Sequence, residues 1–422
     1  MLSKLSKGKF DTVLVFRILT AISIRAGGAL STLFLSAIVV RTFSTESSSL
    51  ILGSLSYLAF LSVFMLIGLP TNSLKFFSRL ENEGEQGLLK VYSTIYILLA
   101  LFFLVTLTAL LNFFSLLSSV NYIALYCLIP LGIIRLVCFF LQSLGHSKTS
   151  TLFMSFFIPF TMIFVTLFFV SNIRDFFLYY LFVSLFVLFF VTFFWYKIIG
   201  LPSISDFMCF TFGKLKIAFQ GVFKMWVNSM ASQWLIVGGQ IIAISYFSDE
   251  SIVEFILSQK VANAVGLVIV VVNLIMSPKF SVYFHRKDYD GLLRLLYFST
   301  TLATFFSMFY LILVAFFPGV FVYAFGNSMA DAGTVLLIFG LIQLLNSLSG
   351  SVKQLLLMTN NVSFVFLLTL CSCFILTSGA FYSVSLNSII GVAYSVLCAY
   401  LFQTLASYIY IYRFFKFGLS EN

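Results

Sequence analysis

The sequence is poor in charged residues. Asp, Glu, Lys and Arg together make up 9% of its 422 residues, whereas hydrophobic residues make up 61%. An ordinary soluble domain carries roughly 25% charged residues. This deficit excludes a typical soluble protein and indicates a chain that lies largely within a lipid bilayer.

Motifs for metal binding, redox chemistry and nucleotide binding are missing. The histidines His146 and His285 stand alone, and the six cysteines form no CxxC pair. Zinc sites and thiol redox sites need such ligands at close spacing. We also find no phosphate-binding loop, dinucleotide fingerprint, nucleophile elbow or zinc-protease helix. We therefore expect no metal ion, no cofactor and no catalytic residue.

Acidic residues are fewer than basic ones, and the net charge is +10. Most Lys and Arg residues fall in loops that twelve membrane spans would place on one side, and Arg41 and Arg174 fall on the other. Cytoplasmic loops retain positive charge, so we predict that both termini are cytoplasmic. The positive charge then reflects topology, and we expect no nucleic-acid partner.

Long apolar runs predict the fold class. A helix needs about 20 apolar residues to cross the hydrocarbon core, and twelve such segments lie between residues 13 and 412. The tenth is predicted at 331–351. Their unbroken apolar character argues against an outer-membrane barrel, in which apolar and polar residues alternate. We predict an all-α polytopic membrane protein with about twelve transmembrane helices.

An internal repeat predicts how these helices are arranged. A shift of 208 residues aligns the segment around Gly132 and Arg135 with that around Gly340 and Gln343, and it aligns Pro70 with Pro278. Each half holds six spans, so the halves share one orientation and are related by an axis along the membrane normal. We predict two parallel six-helix lobes, residues 1–205 and 206–422, around a central cleft.

Three cations lie deep inside apolar segments: Arg25, Arg135 and Lys260. A charge at the bilayer centre costs about 2.5–3.5 kcal/mol on insertion scales, so such residues usually face a watery cavity. A cationic cavity indicates an anionic cargo. Structural roles stay open, because Arg25 could bond backbone carbonyls near Gly28 and Lys260 could pair with Glu254.

Neutral polar residues recur at helical spacing in the same spans and are predicted to line the cleft. Arg25 lies on a helix face of small and polar residues. Its equivalent after the 208-residue shift is Gln233. The predicted cleft-lining polar residues are Thr32, Ser229, Gln233, Gln240, Asn263, Gln343 and Ser347.

The chain resembles bacterial O-antigen and polysaccharide flippases of the Wzx type. These belong to the multidrug/oligosaccharidyl-lipid/polysaccharide (MOP) exporter superfamily. The resemblance rests on twelve spans, a short basic N-terminus that leads into a first span with Arg25, and the segment PTNSLKFFSR at 70–79. It implies two six-helix lobes around a V-shaped cavity lined by spans 1, 2, 7 and 8.

The resemblance also implies a function. The cargo would be an undecaprenyl-diphosphate-linked oligosaccharide that crosses the bacterial inner membrane by alternating access, driven by H⁺ or Na⁺. Arg25, Lys260 and Arg135 would hold the diphosphate, and the neutral polar residues would contact sugars. Partners would include membrane lipids and, in the same membrane, a polysaccharide polymerase and a chain-length regulator.

Two other functions stay open. An ion-coupled multidrug or cation antiporter of the same superfamily would need a buried Asp or Glu as its ion site, and the first six spans hold none at depth. A membrane polysaccharide polymerase or glycosyltransferase would need catalytic residues on a long external loop. All predicted external loops are short, so this alternative is the weaker one.

Overall fold

The computed structural model describes residues 12–113, 122–203, 206, 219, 221–319, 332–359 and 361–417. The ordered elements in these ranges are helices, and we number them in chain order. They are α1 (Thr12–Thr42), α2 (Thr45–Phe64), α3 (Leu69–Asn82), α4 (Gln86–Phe113), α5 (Tyr122–Tyr126), α6 (Leu128–Ser143), α7 (Ser147–Thr151), a π-helical turn (Leu152–Phe156), α8 (Phe157–Phe168), α9 (Ile173–Ile199), α10 (Val222–Tyr246), α11 (Asp249–His285), α12 (Tyr289–Phe316), α13 (Ala332–Met358), α14 (Val362–Ser385) and α15 (Ile389–Phe417).

Twelve helical segments are long and apolar enough to cross a membrane. Two of them combine shorter helices: α5 and α6 form the fourth span, and α7, the π-helical turn and α8 form the fifth. The prediction of an all-α polytopic membrane protein with twelve spans is confirmed. The chain is a multi-pass membrane protein.

Polar caps fix where several spans begin. The Ser44 hydroxyl accepts a hydrogen bond from the Ser47 backbone N–H at the start of α2. The Asn172 side chain accepts from the Asp175 N–H at the start of α9, and Asp288 accepts from the Gly291 N–H at the start of α12. Such caps satisfy N–H groups that have no partner within the helix. These three helices therefore begin at defined residues.

The helices pack as two lobes. In the N-terminal lobe α6 contacts α3, α4 and α9, and α1 packs on α8. In the C-terminal lobe α13 contacts α11, α12 and α15, and α14 packs on α10 and α15. The lobes meet where α1, α2 and α3 contact α10 and α11. The two-lobe architecture is confirmed. The predicted boundary at 205 and 206 stays a prediction, because most neighbouring residues lie outside the described ranges.

The predicted repeat has a counterpart in the packing of spans 4 and 10. A Cβ atom on Gly132 would lie 2.7 Å from Leu104 of α4, and one on Gly340 would lie 2.8 Å from Leu311 of α12. The two glycines are equivalent after the 208-residue shift, and each lets its helix approach the preceding span closely. The halves differ elsewhere, because the second span breaks between α2 and α3 whereas α11 is continuous.

Large aromatic side chains cover the outer surface. On α9, the rings of Phe182, Phe186, Phe189 and Phe193 are all more than half exposed and recur every three or four residues. A strip of this kind would be unfavourable in water but suits acyl chains. This face of the N-terminal lobe therefore faces lipid.

Span 10 is longer than predicted, and this changes the position of Lys353. We expected the span to end at residue 351 and Lys353 to lie in a loop, but α13 continues to Met358. The Lys353 ammonium donates a hydrogen bond of 2.8 Å to the Gln403 side chain on α15 and lies over the Tyr400 ring. A partner on another helix thus accommodates a cation that looked like a loop residue.

With twelve spans in the described residues, the start of α1 and the end of α15 lie on the same side of the membrane. We call that side the terminal face and the other side the opposite face. The terminal face carries the end of α3 and the turn between α11 and α12, and the opposite face carries the turns between α1 and α2 and between α10 and α11.

Cysteine labelling tests which face is cytoplasmic. In a chain whose own cysteines are replaced by serine, we expect Glu81→Cys and Arg286→Cys to resist a membrane-impermeant maleimide in intact spheroplasts, because the positive charges near them favour the cytoplasm. Glu250→Cys should react. After detergent permeabilisation all three should react equally. Reaction of Arg286→Cys in intact spheroplasts would reverse the predicted orientation.

Candidate functional site

The position of Arg25 depends on close packing between α1 and the fifth span. A Cβ atom on Gly28 would lie 3.0 Å from the Ser155 carbonyl oxygen, and one on Gly27 would lie 3.2 Å from the Phe156 ring. Pro159 lacks the N–H that would bond the Ser155 carbonyl in a regular helix, and the chain forms a π-helical turn just before it. The glycines bring α1 against this irregular turn, and Arg25 lies three residues before Gly28 on the same helix.

Arg25, Arg135 and Lys260 lie on the wall of one cavity of about 810 Å³ between the lobes. Arg25 comes from α1, Arg135 from α6 and Lys260 from α11. In the described part of the chain, the salt bridges are Arg79–Glu83 and Lys90–Asp206, and neither involves these three cations. The sequence indicated each cation separately, and the structure brings all three together. The wall has unbalanced positive charge.

Lys260 also joins the two lobes. Its ammonium donates a hydrogen bond of 2.6 Å to the Ser36 hydroxyl of α1. The pairing with Glu254 that the sequence left open is not among the salt bridges of the described residues. Glu254 is only 5% exposed, so its carboxylate is buried within the lobe.

A second bridge between the lobes runs through Gln240. The Ser56 hydroxyl of α2 donates to the Gln240 Oε1 at 2.6 Å, and the Gln240 Nε2 donates to the Gln259 Oε1 at 2.7 Å. Nearer the opposite face, the hydroxyls of Tyr57 and Ser245 lie 3.1 Å apart. Gln240 does line the cavity, as predicted, but both ends of its amide group are occupied by these bonds.

The cavity extends from these contacts toward the terminal face. Gln142, at the end of α6, and Thr151, at the end of α7, both lie on its wall. Ser36, which accepts the hydrogen bond from Lys260 of the other lobe, lies near the end of α1 at the opposite face. The lobes therefore touch at Ser36 and Lys260, and the cavity extends from there toward the terminal face, where the lobes touch again at Gly68 and Val222.

The predicted neutral residues divide into two groups. Thr32, Gln233 and Asn263 line the cavity together with Gln240. Ser229, Gln343 and Ser347 are not among the lining residues, which corrects our expectation for them. Gln343 is 5% exposed and donates to the Asn263 side chain from behind. Ser347 is fully buried and bonds Ser307 of α12. Polar periodicity alone does not separate a helix face on the cavity from one that packs on a neighbouring polar helix.

Sequence reasoning placed Arg135 of span 4 in the site but missed the other residues that spans 4 and 5 contribute to the wall. The resemblance implied spans 1, 2, 7 and 8, yet Phe139 and Gln142 of α6 and Ser155 of the fifth span also line the cavity. Arg135, Phe139 and Gln142 are spaced by four and three residues, so they share one helix face. That spacing could have predicted Gln142 once Arg135 was placed on the wall.

The fold is similar to solved structures of MOP-superfamily transporters. An inward-facing multidrug resistance MATE family transporter superposes with a TM-score of 0.77, at 12% identity over 96% of this chain and 99% of the other. An outward-facing structure of that kind gives 0.67, at 15% identity over 96% of each chain.

A third similar structure is a MOP-superfamily transporter from Pyrococcus furiosus. Its TM-score is 0.68, at 13% identity over 93% of this chain and 94% of the other, and it is described as having a binding pocket of reverse polarity that suggests a different function. No protein-family model and no curated protein matches the sequence. The chain thus has the fold of MOP-superfamily transporters, at sequence identities too low to show its cargo.

Proposed function

We propose that the protein is a flippase for an undecaprenyl-diphosphate-linked oligosaccharide, such as an O-antigen or related polysaccharide repeat unit. The observation that supports this most strongly is the set of three cations, Arg25, Arg135 and Lys260, on one cavity wall in a transporter fold. Unpaired cations at membrane depth are costly unless water or an anion compensates them. A cargo with a compact, multiply charged group provides that compensation.

A diphosphate matches these three side chains. The guanidinium groups of Arg25 and Arg135 can each bond two phosphate oxygens, and the Lys260 ammonium adds a compact charge. The polyprenyl tail would remain in the bilayer, so only the diphosphate and the sugars need to leave water and lipid. No covalent bond changes, which fits the expectation of a transporter rather than an enzyme.

The neutral part of the wall suits sugar hydroxyls. Gln233 lines the cavity and forms no hydrogen bond with another described residue, so its carbonyl and amide groups are both available. The Thr32 hydroxyl donates to the Gly28 carbonyl and keeps its oxygen free to accept. Such groups bind hydroxyls in either direction, which fits an uncharged oligosaccharide better than a hydrophobic drug.

Transport requires the contacts between the lobes to open. Lys260 bonds Ser36 across the interface in this state, and a bound diphosphate would compete with Ser36 for the ammonium. Cargo binding would thereby weaken one of the bonds that hold the lobes together toward the opposite face. A ligand shifts a conformational equilibrium only through such differential contacts.

We place the protein in a bacterial inner membrane with both termini cytoplasmic, so that the cavity in this state takes cargo from the cytoplasm. Coupling to H⁺ or Na⁺ would drive the cycle. A polysaccharide polymerase would consume the flipped repeat unit on the other side, together with a chain-length regulator.

Deletion of the gene tests the proposed function. We expect lipid-linked repeat units to accumulate in the cytoplasmic leaflet and surface polysaccharide to disappear, because the polymerase no longer receives its substrate. The measurement is mass spectrometry of extracted lipid intermediates alongside surface polysaccharide staining. A plasmid copy should restore both. Unchanged polysaccharide in the deletion strain would contradict the proposal.

One observation favours an ion-coupled multidrug antiporter as the second candidate. Glu254, on the same helix as Lys260, is a buried carboxylate in a membrane span, and such a group is a typical ion site in antiporters. In the sequence, the first six spans carry no Asp or Glu away from their ends. A deletion strain with normal surface polysaccharide and increased sensitivity to cationic drugs would favour this function.

A further inference from the structure

Asn263 is held on the cavity wall by a residue that does not itself reach the cavity. The Gln343 Nε2 of α13 donates a hydrogen bond of 2.7 Å to the Asn263 Oδ1 of α11. Gln343 is buried behind this wall, whereas Asn263 lines it. The bond determines which end of the Asn263 amide can face a ligand.

The orientation of Gln343 is fixed in turn. The Asn346 Nδ2 donates to the Gln343 Oε1 at 3.4 Å, so the oxygen of Gln343 is occupied and its NH₂ group points to Asn263. A Cβ atom on Gly266 would lie 2.9 Å from this same oxygen. The absence of a side chain at Gly266 therefore makes room for the Gln343 amide between α11 and α13.

The hydrogen bond from Gln343 limits what Asn263 can offer at the cavity wall. With its Oδ1 turned into the lobe, Asn263 has its Nδ2 left to offer, and that group only donates hydrogen bonds. Lys260 lies three residues earlier, so the two side chains are neighbours on one helix face. Its ammonium also only donates. This edge of the cavity therefore presents donors and no acceptor.

We propose that Gln343 is a positioning residue for cargo recognition, which fixes Asn263 as a donor beside Lys260 so that this edge selects oxyanions such as the phosphate oxygens of the cargo. The inference rests on the proposed function, since it assigns the diphosphate rather than the sugars to this edge. An amide that was free to turn would offer its oxygen half of the time and would repel the same group.

The test is binding of farnesyl diphosphate, with farnesol as the uncharged control, to the purified full chain in detergent by isothermal titration calorimetry. Asn263→Asp replaces the NH₂ group by an oxygen while keeping an acceptor for Gln343. We expect it to weaken diphosphate binding by about tenfold or more, since hydrogen bonds to charged groups are among the strong ones. Farnesol binding should not change.

A double-mutant cycle tests the role of Gln343. Gln343→Met keeps length but loses the donor, and we expect diphosphate binding about threefold weaker because the Asn263 amide can then face either way. In an Asn263→Ala background the same change should have no further effect. Gln403→Met, which removes a buried side-chain bond elsewhere in this lobe, should leave affinity unchanged in both backgrounds.

The outcomes separate this inference from the proposed function. Equal effects of Gln343→Met with and without Asn263 would show a packing role and overturn the inference, as would wild-type affinity in Asn263→Asp. If farnesyl diphosphate binds and Arg25→Ala weakens it, the proposed function stands even then. If the unchanged chain binds farnesyl diphosphate no better than farnesol, the diphosphate site itself is refuted and the inference falls with it.

Discussion

Replacing Arg25 and Lys260 together by alanine should abolish export of surface polysaccharide while leaving the protein in the membrane. Each change removes a charge from the cavity wall on which the diphosphate would lie. A hydrogen bond to a charged group contributes about 1.5–3 kcal/mol, so losing both should reduce transport by at least about a hundredfold. Surface polysaccharide and membrane protein level are the two measurements.

The single variants refine this expectation. Arg25→Lys keeps the charge but loses the planar, bidentate donor, so we expect partial activity. Arg25→Gln should behave like Arg25→Ala if the charge is what binds the cargo. Arg135→Ala should have a milder effect. Arg135 shares a helix face with Gln142 near the terminal face, whereas Lys260 makes a contact between the lobes.

Arg79→Ala is the matched control for loss of a cation. Arg79 forms an exposed salt bridge of 2.7 Å with Glu83 outside the spans, and this partner raises the pKa of the Arg79 guanidinium. Exposed pairs of this kind contribute little to stability, so export should continue. Normal export by the Arg25→Ala, Lys260→Ala double variant at wild-type protein level would refute a cationic cavity that holds the cargo.

Most of the fold was predictable because the bilayer imposes strong constraints on the sequence. Every span needs about 20 apolar residues, and all twelve were detectable for that reason. The predicted end of span 10 at residue 351 was wrong, because α13 continues to Met358. Lys353 looked like a loop residue because sequence reasoning could not see Gln403, which is distant in the chain but lies next to it on α15.

The candidate site was predictable in composition but not in arrangement. Arg25, Arg135 and Lys260 stood out because cations are rare in spans, and they do lie on one cavity wall. Gln343 and Asn263 looked equivalent in sequence, yet one is buried behind the other. Which polar face meets water depends on how α11 and α13 pack, and this is a tertiary property that helical periodicity does not encode.

The joint between α2 and α3 offers the second large effect, on stability. Gly68 has a φ of +72°, and a Cβ atom there would lie 2.6 Å from the Val222 carbonyl oxygen and 2.8 Å from the Trp226 nitrogen. Both atoms belong to the backbone of α10 in the other lobe. They cannot move aside like the end of a flexible side chain. Close by, the Trp226 indole donates to the Phe64 carbonyl at 2.9 Å.

Gly68→Ala should therefore destabilise the protein through two separate causes. A left-handed conformation costs a non-glycine residue about 1–3 kcal/mol, and forcing extra volume into a packed contact costs about 1–3 kcal/mol more. We expect a strongly lowered melting temperature in detergent, or loss of folded protein from the membrane. Gly84→Ala is the matched control, because Gly84 has a φ of +74° but no atom within 4 Å of the added Cβ. Gly84→Ala should show the backbone cost alone. If the two variants had the same melting temperature, the added methyl group at residue 68 would meet no steric obstacle between the lobes, and the predicted second cause would be refuted.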